Sequence, residues 1–179
     1  ASMPRSSEAD RIRAAKLAQT IVFTSQGTPF MFAGEEVFRS KQGVHNSYKS
    51  PDSINAIDWT LKEANADLFN YYRQLIAFRK MHPSLRMTSA DDIAENIVFD
   101  DVSTPGIVSY SIFNRASSDS AKEIKIVFNG SDKPYQLKVK RGKWLIIAED
   151  AAIKADGLRS FGGGKITVAP PSPLIPPPP

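Results

Sequence analysis

The residue pattern predicts an α+β chain in three parts. The last repeat (helix, strand, long loop, helix) of a (β/α)8 barrel covers 1–85, an all-β antiparallel sandwich covers 86–169, and a Pro-rich tail covers 170–179. Three observations predict it. Two segments with helical apolar spacing flank Pro29–Ala33, a continuously apolar run of the kind found in strands buried on both faces. A non-periodic stretch, Gly34–Trp59, follows that run, and loops beyond about 12–15 residues in compact domains are usually functional. After Arg86, six short β-type runs succeed one another between turn clusters.

The first helix opens on Ser7-Glu8-Ala9-Asp10, a capping box. Its apolar stripe is Ile12, Ala15, Ala18 and Val22, widened by Leu17 and Ile21. Arg11, Arg13 and Lys16 are expected on a solvated face, and Gly27 at the C-terminal stop. A lone buried strand at 29–33 needs parallel neighbours for its backbone groups. The first 85 residues therefore read as one end of a barrel of about 250 residues, whose active-site loops follow the strands' C-terminal ends. Gly34–Trp59 lies at that end, with Trp59 expected to anchor it from below. The second helix takes Asn65 as N-cap, carries a Leu68, Tyr72, Leu75, Phe78 stripe backed by Tyr71 and Ile76, and stops at Pro83.

The β-type runs are Asn96–Phe99, Ile107–Phe113, Glu123–Phe128, Tyr135–Val139, Trp144–Ala148 and Lys165–Val168. Trp144 is expected in the sandwich core. Seven of the 13 prolines lie after Ala169, which predicts an extended, polyproline-like end without packed structure.

Composition narrows the chemistry. The 23 basic and 19 acidic residues give a net charge of +4 spread along the chain, so no clustered nucleic-acid footprint stands out. Lys138, Lys140, Arg141 and Lys143 are read as a solvated hairpin. Without cysteine, disulfides, thiolate metal sites and Cys nucleophiles are excluded, while the compartment stays open. No apolar run approaches the roughly 18 residues of a membrane span. His45 has no second ligand at metal spacing, so neither metal nor cofactor is expected.

The residues that carry chemistry begin at Gln26-Gly-Thr-Pro-Phe-Met-Phe-Ala-Gly-Glu-Glu36 and continue through Arg39-Ser-Lys-Gln-Gly-Val-His-Asn-Ser-Tyr48, Ser50-Pro-Asp-Ser-Ile-Asn55 and Ile57-Asp-Trp59. This run resembles the eighth barrel strand and following loop of the alpha-amylase superfamily, glycoside hydrolase family 13, and within it the type I pullulanases. The resemblance implies retaining hydrolysis of α-1,6-linked glucans such as pullulan or branched starch. It also implies that the family's aspartate nucleophile, glutamate acid/base and second aspartate lie on earlier barrel strands, so no catalytic residue is assigned here. Glu35 and Glu36 do not replace them. Retaining glycosidases hold two carboxyl groups about 5–5.5 Å apart, and adjacent residues of an extended chain point in opposite directions.

Vicinal hydroxyls and the apolar face of a sugar call for paired polar groups and flat aromatics. Asn46, Tyr48, Asp52 and Asn55 are the candidate substrate-binding residues, with Glu35, Glu36 and Arg39 as support. The competing reading is that Asn and Asp make Asx turns in this loop. Implied partners are an α-glucan oligosaccharide and either the missing N-terminal part of the barrel or a self-associated copy. A non-catalytic glycan-binding module on the sandwich is the alternative. It would need exposed aromatics among Tyr110, Tyr135 and Trp144.

Overall fold

The structure, a computed structural model, describes residues 6–115 and 118–176. Helix α1 (Glu8–Thr24) starts at the predicted capping box: Ser7 Oγ accepts from Asp10 N at 3.1 Å, and Asp10 Oδ2 accepts from Ser7 N at 3.2 Å. Its buried face shares only Leu17 with the predicted stripe. Lys16, Leu17, Thr20, Phe23 and Thr24 are buried, while Ala18 is exposed and Ile12, Ala15 and Val22 are half-buried. Lys16, expected in solvent, is 6% exposed, and its Nζ donates to Asp67 Oδ2 at 2.5 Å and to the Ala151 carbonyl at 3.1 Å. A long aliphatic stem can be buried when its ammonium finds partners at the rim. Arg13 likewise reaches Asp150 at 2.8 Å.

Residues 28–32 form no strand. Phe30 is 82% exposed and Phe32 48%, against the expected burial on both faces. The physical reason is the one that made a lone strand improbable: no parallel neighbour is supplied by the described residues, so nothing covers the run. A 310 turn (Glu35–Val37) and two one-turn helices, α2 (Asp52–Asn55) and α3 (Leu61–Ala64), punctuate the long loop.

Helix α4 (Ala66–Met81) buries the predicted Leu68, Tyr72, Leu75 and Phe78 together with Tyr71. Asn65 sits at the N-cap, but its side-chain amide donates to the Val37 carbonyl instead of capping. Arg79, near the far end, is 6% exposed. Its guanidinium donates to the Phe23, Ser25 and Gly27 carbonyls at 2.8, 2.8 and 2.5 Å, satisfying backbone groups that the end of α1 leaves open. A 310 turn (Pro83–Arg86) leads to α5 (Ala90–Asn96), which the sequence reading missed.

The strands are β1 (Ile97–Phe99), β2 (Ile107–Phe113), β3 (Glu123–Asn129), β4 (Tyr135–Val139), β5 (Trp144–Ile146), β6 (Ala148–Glu149), β7 (Ala152–Ile153), β8 (Arg159–Phe161), β9 (Gly164–Val168) and β10 (Ser172–Leu174). All pair antiparallel. A four-stranded sheet has the order β1-β2-β3-β10, and β4/β9, β5/β8 and β6/β7 form two-stranded ribbons. The Pro-rich end is corrected by β10, which pairs with β3 through Ser172, Pro173 and Leu174. Leu174 and Ile175 are almost wholly buried. Proline is tolerated there because β10 is an edge strand. Residues 177–179 of the expected tail lie outside the described residues.

Strand alternation divides the sheet between two cores. Tyr110, Ile112, Ile124, Ile126 and Phe128 join the helices around Leu75 and Phe78. Ile107, Val127 and Leu174 instead join Leu137, Val139, Trp144, Ile146, Ile166 and Val168 from the ribbons. The first cluster runs across the Pro83–Arg86 turn. An Asp119 carboxylate, fully buried, fastens the same junction by accepting from His82 Nδ1 at 2.8 Å, Ser84 Oγ at 2.5 Å, Ser84 N at 3.2 Å and Ala121 N at 3.0 Å.

Candidate functional site

The long loop is ordered by a clasp that its own residues build. Gly34 adopts φ +96°, and a Cβ there would lie 2.6 Å from Arg39 Cδ, so the chain turns where glycine alone fits. That turn brings Arg39 back: Nη1 donates to the Ala33 carbonyl at 3.1 Å, and Nη2 donates to the Asn55 carbonyl. Arg39 and Lys41 also stand over the Phe32 ring, at 5.6 and 5.8 Å from its centroid. Desolvation, and then the nearby Arg39 charge, lowers the Lys41 pKa.

Asn55 is the centre of the clasp. Its amide nitrogen donates to the carbonyls of Ser47 at 2.8 Å and Ser50 at 2.7 Å, while its Oδ1 accepts from Lys41 Nζ at 2.7 Å. Its side chain is therefore committed to the loop. The segment it ties off, 46–52, carries the other three candidates on the surface. Asn46 Oδ1 accepts from Tyr48 N at 3.3 Å, an Asx turn, and Tyr48 is 84% exposed. Asp52 opens α2 at the surface, and its carboxylate has no hydrogen-bond partner among the described residues.

The supporting carboxylates point to different tasks. Glu35 Oε2 accepts from Gln19 Nε2 of α1 at 3.0 Å, whereas Glu36 Oε2 accepts from Gly34 N at 3.0 Å and stiffens the turn. Burial first, then the Glu35 and Glu36 charges, holds the Tyr72 hydroxyl far above its ordinary range. Two buried polar atoms flank this corner without partners among the described residues: Gln19 Oε1 and Arg39 Nε. Trp59, expected beneath the loop, is 63% exposed instead, next to a local turn in which Asp58 Oδ1 accepts from Thr60 N and Oγ1. His45 is exposed, and among the described residues no group of three or more His, Asp or Glu could hold a metal ion.

The structure places Asn46, Tyr48 and Asp52 on the surface of one loop, and Gln19 and Lys41, which the sequence reading did not single out, bond into the same region. No motif marks a side chain that becomes important only after a left-handed turn folds it back. The aromatics required by the alternative module are mostly withdrawn: Tyr110 is 6% and Trp144 3% exposed, with Tyr135 intermediate.

Residues 93–152 match the family described as pullulanase, all-beta domain. A pullulanase of Bacillus subtilis (strain 168) is 34% identical over 146 residues, 76% of this chain and 20% of that protein. An isoamylase of a Flavobacterium species is 33% identical over 93 residues, 50% of this chain and 12% of that protein. Among solved structures, the pullulanase from Bacillus acidopullulyticus superposes with a TM-score of 0.91 at 38% identity, covering 99% of this chain and 22% of that one. The type I pullulanase of Bacillus subtilis str. 168, complexed with maltose, gives 0.90 at 27% identity, covering 98% of this chain and 24% of that one. The chain therefore spans a quarter or less of the length of these relatives.

Proposed function

We propose that this chain, which is homologous to the type I pullulanases and isoamylases of glycoside hydrolase family 13, supplies the closing repeat of a (β/α)8 barrel and the C-terminal β-sandwich of an α-1,6-glucan debranching hydrolase. In that assembly it contributes part of the substrate rim and none of the catalytic acids. The observation that carries this reading is the exposed apolar run at 30–32, leading directly into the clasped loop. Three consecutive exposed apolar side chains make a surface that neighbouring strands of a barrel would cover. The half-buried stripe on α1, at Ile12, Ala15 and Val22, fits the same requirement for a sheet beneath it.

Within the assembled barrel the 46–52 segment lies at the mouth, where active-site loops belong. Asn46, Tyr48 and Asp52 contact glucan hydroxyls and sugar faces. Arg39 and Asn55 position them by holding the loop's ends, and Glu35 and Glu36 fix the turn on which the loop stands. Two solved relatives are complexed with maltotetraose and maltose, which supports an α-glucan oligosaccharide as the ligand class. Hydrolysis proceeds with retention through a covalent glucosyl intermediate on an upstream carboxylate.

The test is reconstitution with a polypeptide that supplies the remaining repeats of the barrel. This chain alone should release no reducing sugar from pullulan, the mixture should release it, and Asp52→Ala in the mixture should raise KM. Turnover by the chain alone, or failure of the two parts to associate, overturns the proposal.

A further inference from the structure

Asn129-Gly130 is the one Asn-Gly pair in the chain. An asparagine followed by glycine can close on itself. The glycine nitrogen, after losing its proton to base, attacks the side-chain carbonyl carbon, and no Cβ stands in the way. The new N–Cγ bond displaces the side-chain nitrogen as ammonia and leaves a cyclic imide. One water then opens the imide to aspartate or to isoaspartate. Asparagine belongs to the thermolabile residues for this kind of chemistry.

The fold engages every atom that this reaction needs. Asn129 is wholly buried at the end of β3, opposite Ile107 of β2 and Ser172 of β10. Its amide nitrogen donates to the carbonyls of Lys133 at 2.8 Å and Val168 at 3.0 Å. Its Oδ1 accepts from Ser131 N at 3.0 Å and Ser131 Oγ at 2.7 Å. The side chain thus ties the end of β3 to the turn that follows and to the end of β9. The attacking atom is engaged as well: Gly130 N donates to the Gly106 carbonyl at 2.8 Å. Gly106 itself, at φ +81°, lies so close to the same turn that a Cβ there would stand 3.1 Å from Ser131 N.

We infer that Asn129-Gly130 is a self-modification site that the fold keeps unreactive and that unfolding releases, so that a chain left unfolded is converted at this pair and cannot return. Attack needs the Gly130 N–H freed from one carbonyl and the Asn129 Nδ2 freed from two, and a wholly buried imide meets no water. Opening of the structure meets all of these conditions together. The products do not fit back. Aspartate presents a carboxylate to the Lys133 and Val168 carbonyl oxygens, acceptor against acceptor, where burial is complete. Isoaspartate carries the main chain through the side-chain carbonyl and adds a methylene to it, which breaks the pairing with Ile107 and Ser172. A chain modified faster than it refolds unfolds irreversibly. The inference concerns the β region and does not depend on the glucan reading.

The chain is held in mildly alkaline buffer with and without denaturing urea, and timed samples are digested and weighed for amide loss at residue 129. Parallel samples are diluted out of urea and the refolded fraction is read by circular dichroism. Amide loss should be severalfold faster in urea than in buffer, and the refolded fraction should fall in step with it. Gly130→Ala puts a Cβ in ordinary contact, 3.5 Å from the Gly106 carbonyl oxygen, and hinders the attack while keeping the side-chain partners of Asn129. Its refolded fraction should persist severalfold longer. Asn129→Asp, which makes one product directly, should unfold at lower urea than the parent or fail to fold. Equal rates of amide loss in buffer and urea, equal loss of refolding in the parent and Gly130→Ala, or an Asn129→Asp protein with the parent's urea midpoint each overturns the inference.

Discussion

Protonating Asp119 should uncouple the helices from the four-stranded sheet. Burial of this carboxyl raises its pKa, but hydrogen bonds from His82, Ser84 and the Ala121 N–H, together with the His82 charge, outweigh that and bring it from 3.8 to about 2. A depressed folded-state pKa means the folded chain holds its proton less tightly than the unfolded one. The stabilisation is therefore complete above the unfolded value of 3.8 and is lost as pH falls through about 2. The depression is worth about 2 kcal/mol, since one unit is about 1.4 kcal/mol. Urea unfolding of the native sequence and of Asp119→Asn, at several pH values from 6 to 2, isolates it. At pH 6 the variant should be less stable by about 2 kcal/mol, because four donors lose a charged acceptor. That difference should shrink towards zero by pH 2. Parallel stability curves for the two proteins over this range would refute the reasoning.

Other perturbations probe separate parts of the molecule. Asn55→Ala should leave global stability within about 1–3 kcal/mol of the parent, yet accelerate amide exchange and protease cleavage within 46–52, since its amide joins three points of that loop. Arg79→Met keeps the packing volume but leaves three carbonyls unsatisfied. Chemical denaturation should register a loss of about 2–4 kcal/mol. Leu75→Ala, at a fully buried core position, should cost about 2–5 kcal/mol by the same measurement. Phe30→Ser with Phe32→Ser should change thermal stability little, because both rings are exposed, and should reduce self-association measured by sedimentation.

The sequence revealed elements wherever one strong local rule governed them. Ser7 and Asp10 are three apart and bond each other, so α1 could be placed to the residue. β4 alternates over its five residues, whereas β2 is a β-type run buried along most of its length, and both were legible with their limits. What escaped was set by tertiary context. α5 has only seven residues, too few for a period, although Ser89 capping Asp92 N marked its start. β7 and β8 have two and three residues and exist because partners reach them. Lys16 looked solvated because its buried partner, the Ala151 carbonyl, is 135 residues away. In the loop, the Asn and Asp residues were legible as either sugar ligands or turn formers. Coordinates split them: the Asn55 amide is consumed by the loop, Asn46 makes its Asx turn, and the Asp52 carboxylate stays open.

The division between what is packed and what is bare bears on how the proposed barrel would assemble. Neither core cluster includes a residue between 24 and 36, so the exposed run adds no buried apolar core to the body that carries it. The loop after it is held by its own clasp, by Glu35 on α1 and by Asn65 on Val37, none of which depends on the run being paired. A complementary polypeptide would therefore meet a surface already formed. Association would not have to offset the ordering of this loop, which costs roughly 1–2 kcal/mol per residue for backbone alone. Circular dichroism before and after mixing distinguishes the cases: a preformed surface adds the two spectra, whereas coupled folding of this chain would add helix beyond their sum. Cooperative urea unfolding of the chain by itself follows from the same argument, and a non-cooperative transition would contradict it.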